Sequence, residues 1–80
     1  MNNQQKYEQA FIKTFNVSSS AFNEEFSTES RSEWDSITHL SLITAIEEEF
    51  DIMLDSEDIL ELTSFQAGKK ILSKYEIEFE

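Results

Sequence analysis

Eighty residues with a formal net charge of −11, no cysteine, no proline and a single glycine bound the answer before any motif is read. A chain of this size is sufficient for one small domain with a modest core, which excludes a large pocket with its own catalytic machinery, and the missing cysteines exclude disulfides and thiolate metal sites. Between Arg31 and Lys69 there are ten acidic residues and no Lys or Arg, so nucleic acid is excluded as a partner and a basic protein surface is the natural one.

In chain order, the polar start MNNQQKYEQA carries no apolar signal core, and no apolar run reaches the length of a membrane span. The expectation is a cytoplasmic protein, a single domain over residues 1–80, acting as a monomer. Tyr7, Phe11 and Phe15 recur at four-residue spacing with Ala10 beside them, which predicts a helix from about residue 3 to about residue 16. Residues 17–35 are rich in Ser, Glu and Asn and read as a long loop pinned by Val17, Phe22 and Phe26. Asp35 is placed to cap a second helix that runs to Phe50, and DIMLD follows as an extended linker. Asp55 or Ser56 caps a short helical turn to about Leu62. Thr63 or Ser64 starts a last helix carrying Phe65, Ile71, Leu72 and Tyr75, and the tail 76–80 is expected to fray. The fold class is all-α: a small four-helix bundle of three main helices and one short one.

The second helix separates into two faces when its residues are set about 100° apart. Leu42, Ile43, Ile46 and Phe50 share the core arc, and His39 falls inside it. Ile37 and Leu40 lie in another sector together with Ser41, Thr44, Glu47 and Glu48, an apolar patch ringed by acids that reads as a docking surface. Three consecutive glutamates, Glu47 to Glu49, close this helix where the negative end of its dipole opposes them. With no cation in the helix and Asp51 four residues after Glu47, the charge costs a few tenths of a kcal/mol per contact. The expectation is that a partner protein supplies the compensating positive charge. His39 stands three residues after Ser36, but no residue is evident to orient its imidazole, so it reads as a packing histidine rather than a general base. Asp51, Asp55, Glu57 and Asp58 lack the spacing and glycine of a calcium loop, so no metal is expected.

The run WDSITHLSLITAIEEEFDIMLDSEDILELTSFQAGKKIL resembles an acyl carrier protein over about residues 33 to 75. The resemblance is carried by the triplet Asp35, Ser36, Ile37 opening a helix, the EEEF ending, the I-x-L of Ile52 and Leu54, and the EDI and TSFQA segments. It implies a carrier with no catalytic residue, on which Ser36 is the attachment point for 4′-phosphopantetheine, with Asp35 and Ile37 as its flanking residues. The arm comes from coenzyme A through a phosphopantetheinyl transferase, and its thiol holds acyl groups as thioesters. A serine at a helix N-terminus suits a phosphodiester, because free N–H groups and the positive dipole end lie there. Loading by a ligase or transferase, and use by downstream enzymes with basic surfaces, are implied as well. The sequence departs from the fatty-acid-type pattern at Thr38 and Ser41, where acids are common, and at Trp34, which points to a specialised lipid, polysaccharide or secondary-metabolite pathway. Two other readings stay open: an aminoacyl or peptidyl carrier of the same fold, and an acidic helical adaptor whose Ser36 is never modified.

Overall fold

The computed structural model describes residues 2–22 and 26–79. Four α-helices follow one another, α1 (Asn3–Phe15), α2 (Ser36–Phe50), α3 (Ser56–Glu61) and α4 (Phe65–Ser73), with a single 3₁₀ turn at Ser19–Ala21 in the long loop. Among the described residues there is no β-strand, so the all-α bundle expected from the sequence is the fold.

Three of the four helices begin where a side chain offers an acceptor for orphan N–H groups. The Asn2 side chain accepts from Gln5 N–H at 2.9 Å while the Asn2 N–H donates back to Gln5 Oε1 at 3.1 Å, a reciprocal box that starts α1. Asp35 caps α2 and Ser64 caps α4. Asp55 precedes α3 but its side chain makes no capping bond; its N–H donates instead to the Tyr75 hydroxyl at 3.0 Å. With glycine nearly absent, α1 and α2 stop at Asn16 and Asp51, both in the left-handed region with φ of 56° and 54°, a conformation that Asn and Asp tolerate better than most residues.

α1 packs along α2, and Tyr7, Ala10 and Phe11 from the first meet Leu42, Ile43 and Ile46 from the second in one buried cluster. Phe50, expected in that core, is only half-buried and lies under Lys6, whose Nζ is 5.9 Å from the ring centroid. The loop is pinned by Phe22 and Phe26 as the sequence implies. It is also stitched to the α3–α4 junction, because Thr28 N–H donates to Thr63 O and Phe65 N–H to Phe26 O, each at 2.9 Å. The lone glycine has a packing reason: a Cβ on Gly68 would run into Tyr7 Oη and lie 3.0 Å from Tyr7 Cζ. That hydroxyl is fixed by donating to Phe65 O at 2.6 Å, and its burial raises its pKa well above the ordinary value.

The tail does not fray over the residues described. Ile77 is buried, Phe79 sets its ring 5.3 Å from that of Tyr7, and Asn3 Nδ2 donates to Glu78 O at 2.9 Å. Two aromatic or aliphatic side chains in an otherwise acidic EIEFE segment find a hydrophobic seat that spacing along the chain does not reveal. Glu80 lies outside the described residues.

Candidate functional site

Ser36 is the first residue of α2 and its side chain is exposed. Among the described residues nothing hydrogen-bonds its hydroxyl. Asp35 Oδ1 accepts the Thr38 N–H at 2.9 Å, and this bond, with further help from the Thr38 side chain, holds the Asp35 carboxyl below its usual value. The carboxylate therefore serves the cap, while the exposed Ser36 stands beside first-turn N–H groups that have no acceptor inside the helix. An anion attached to that oxygen meets the favourable end of the helix dipole.

Beside Ser36 opens a cleft of about 380 Å³, lined by Thr28, Trp34, Asp35, Ser36, His39, Leu60, Leu62 and Thr63. It lies where the loop, the start of α2 and the end of α3 converge. Leu60 is 78% exposed on its rim.

His39 forms the inner wall, and its surroundings correct the expectation that nothing orients it. Trp34, buried, donates its Nε1–H to His39 Nδ1 at 3.0 Å. Since an indole N–H can only donate, Nδ1 is the acceptor and the ring proton sits on Nε2, which lies 2.7 Å from Ile59 O. Both nitrogens are committed, so His39 is not a base for Ser36; it ties the loop, α2 and α3 together. The sequence offered one signal for this, the tryptophan five residues before the histidine across a helix start.

On the outer face of α2, Ile37 and Leu40 are 77% and 62% exposed. They border a shallow groove with Ser41, Thr44, Ala45 and Glu48, so the structure brings together the patch read from the helix wheel, with one exception. Glu47 turns inward and its Oε2 accepts the Leu54 N–H at 2.9 Å. Glu49 is mostly covered, and Lys13 Nζ of α1 comes within 3.5 Å of its Oε2. Of the three glutamates only Glu48 is fully available to a partner; the other two have intramolecular roles that the helix alone could not show.

Of the acids around α3, Asp58 is likewise engaged. Asp58 is buried, and it accepts Lys74 Nζ and the Tyr75 hydroxyl, each at 2.6 Å. Those two donors, Lys74 foremost, hold the Asp58 carboxyl below the ordinary range. Conversely, Asp58 raises the pKa of Lys74 and of Tyr75. Among the described residues no group of three or more His, Cys, Asp or Glu is arranged to hold a metal ion, and no helix is long and apolar enough to cross a membrane.

Comparison with known proteins adds no relative: no family model, no curated protein and no solved structure matches the chain.

Proposed function

We propose that this chain is an acyl carrier protein, with 4′-phosphopantetheine joined to Ser36 Oγ as a phosphodiester and acyl intermediates held as thioesters on the arm. The observation that carries the reading is the exposed Ser36, whose hydroxyl has no hydrogen bond among the described residues, at the start of a helix whose cap is already supplied by Asp35. A nucleophilic oxygen so presented is accessible to a transferase, and the phosphate it gains is favoured by the helix terminus. The chain has no catalytic residue of its own in this reading. It is a cosubstrate that a phosphopantetheinyl transferase modifies, an acyl-loading ligase or transferase charges, and downstream enzymes unload.

Those partners dock on α2. Ile37 and Leu40 supply exposed apolar area and Glu48 the charge, on a protein of net charge −11. Partners with basic surfaces are favoured by electrostatic steering, and in this reading the protein serves a specialised acyl pathway in the cytoplasm.

The test is the intact mass of the protein after incubation with coenzyme A and a broad-specificity phosphopantetheinyl transferase. The wild type should gain the mass of one phosphopantetheine and Ser36→Ala should gain none. A wild type that is never modified returns the protein to the adaptor reading. Mass analysis of the thioester formed in the native host separates acyl from aminoacyl or peptidyl cargo.

A further inference from the structure

His39 is the single histidine of the chain, and the two bonds it makes fix its protonation state. Trp34 Nε1–H can only donate, so His39 Nδ1, 3.0 Å away, carries no proton, and the Nε2–H faces Ile59 O at 2.7 Å. Protonation of the imidazole acts differently on the two sides. The bond from Nε2–H to Ile59 O becomes charge-assisted and is strengthened. At Nδ1 the new N–H meets the indole N–H donor to donor, and that bond is lost. Trp34 has no easy way to turn to another partner, because it is buried and its ring lies 5.2 to 6.0 Å from those of Phe11, Phe15 and Phe26. A buried indole N–H left without an acceptor is penalised by more than the bond contributed.

No neighbouring charge relieves the conflict. Asp35 is the sole charged residue lining the cleft with His39, and its Oδ1 is taken by the Thr38 N–H. Elsewhere in the loop Arg31 pairs with Glu33 at 3.4 Å. On α3, Asp58 is bound by Lys74 and Tyr75, and Glu57 and Glu61 are exposed. The first acid after His39 on α2 is Glu47, which is turned to the Leu54 N–H. Among the described residues no carboxylate forms an ion pair with the imidazole.

We propose that the bond between Trp34 and His39 is an acid-sensitive latch on the cleft beside Ser36, closed while the imidazole is neutral and opened by its protonation, which frees the Trp34 wall and leaves His39 bonded to α3. An opened or unfolded chain takes up a proton at Nδ1 that the latched form has no room for. The latch therefore contributes its stability at neutral pH and loses it as pH falls through the range where histidines ordinarily ionise, about 6.5. Ser36 lies two residues beyond Trp34, so the wall that moves is the one next to the exposed serine. The latch needs no arm on Ser36 and is independent of the carrier reading.

The test follows the Trp34 indole N–H resonance of the full, unmodified chain by NMR from about pH 7.5 to about pH 5.5, the interval in which histidine is the side chain that ordinarily changes charge. The resonance should move upfield as the bond is lost. Thermal unfolding gives the second readout. Trp34→Phe keeps an aromatic ring but has no N–H to oppose the imidazolium, so the gap by which its Tm lies below that of wild type should narrow by about 4 to 8 °C across the same interval. The fall in net charge on acidification is common to both proteins and cancels in the gap. His39→Gln, which does not titrate, should show the same narrowing and serves if Trp34→Phe does not fold. An indole resonance that keeps its position across this interval, or a Tm gap that stays constant, overturns the latch.

Discussion

Two adjoining regions of the bundle are held by different physics. In the first, rings pack on rings: the Phe11 centroid lies 4.9 to 5.9 Å from those of Tyr7, Phe15, Phe22, Phe26, Trp34 and Phe65, mostly edge to face. In the second, α3, only six residues long, is fastened by polar contacts, between Ile59 O and His39, between Asp58 and both Lys74 and Tyr75, and from Asp55 N–H to the same Tyr75 hydroxyl. A helix that short has little stability of its own. The rings tie several elements into one buried cluster, whereas α3 depends on these contacts to hold its place. The cleft beside Ser36 lies against this short helix.

The comparison breaks if the aromatic region proves dispensable. Phe11→Ala should cost about 3 to 5 kcal/mol, a large share of a small domain's stability, with every helix losing protection together. Thermal unfolding and hydrogen exchange check it; a loss confined to α1 amides would show that the rings do not act as one unit.

Gly68→Ala probes the seam where α1 meets α4. Its gain in helix propensity, about 1 kcal/mol, is outweighed by displacement of the Tyr7 hydroxyl and loss of its buried bond to Phe65 O. A net destabilisation of about 1 to 2 kcal/mol is expected. In a Tyr7→Phe background the same change should cost less, since the atom it strikes is gone. A denaturant double-mutant cycle measures this coupling, and additive costs would remove the explanation.

Asp58→Asn should loosen α3 selectively and by less. Because the folded Asp58 carboxyl is held below its ordinary value, its contribution is complete above about pH 4 and is lost as pH falls further through the folded value. Lys74 is shifted upward, so its contribution is complete below about pH 10.4 and is lost as pH rises through its folded value. The Tm difference between wild type and Asp58→Asn should thus be constant across neutral pH and close at both extremes. A difference that persisted well below pH 4 would mean that the charge on Asp58 is not what holds the helix.

The smallest effect on stability belongs to the proposed docking face. Glu48→Lys replaces an acid by a cation in the last turn of α2 and should hold stability or gain a few tenths of a kcal/mol, while slowing arm transfer to Ser36, more at low salt than at high. Ile37→Ala should slow the same step with little dependence on salt. Earlier unfolding of Glu48→Lys together with a wild-type transfer rate would make the residue structural.

The helices, their starts and the two faces of α2 were decided within short stretches of sequence. Capping by Asp35 and Ser64 spans three residues, and the face that exposes Ile37 and Leu40 while burying Leu42 and Ile46 follows from the period of the helix. The position of Ser36 at a helix start is of the same kind. Tertiary structure alone decided which polar groups are spoken for. Glu49 meets Lys13 from 36 residues away, His39 meets Ile59 O from 20, Asn3 meets Glu78 O from 75, and Gly68 exists for a tyrosine on another helix. An isolated helix presents its glutamates as equivalent apart from position. Only the packing of α1 and the DIMLD linker against α2 distinguishes them, by bringing a cation to Glu49 and a backbone N–H to Glu47 and leaving Glu48 in water. Such pairings depend on which surfaces the hydrophobic core forces together, and that is a property of the whole chain rather than of any segment of it.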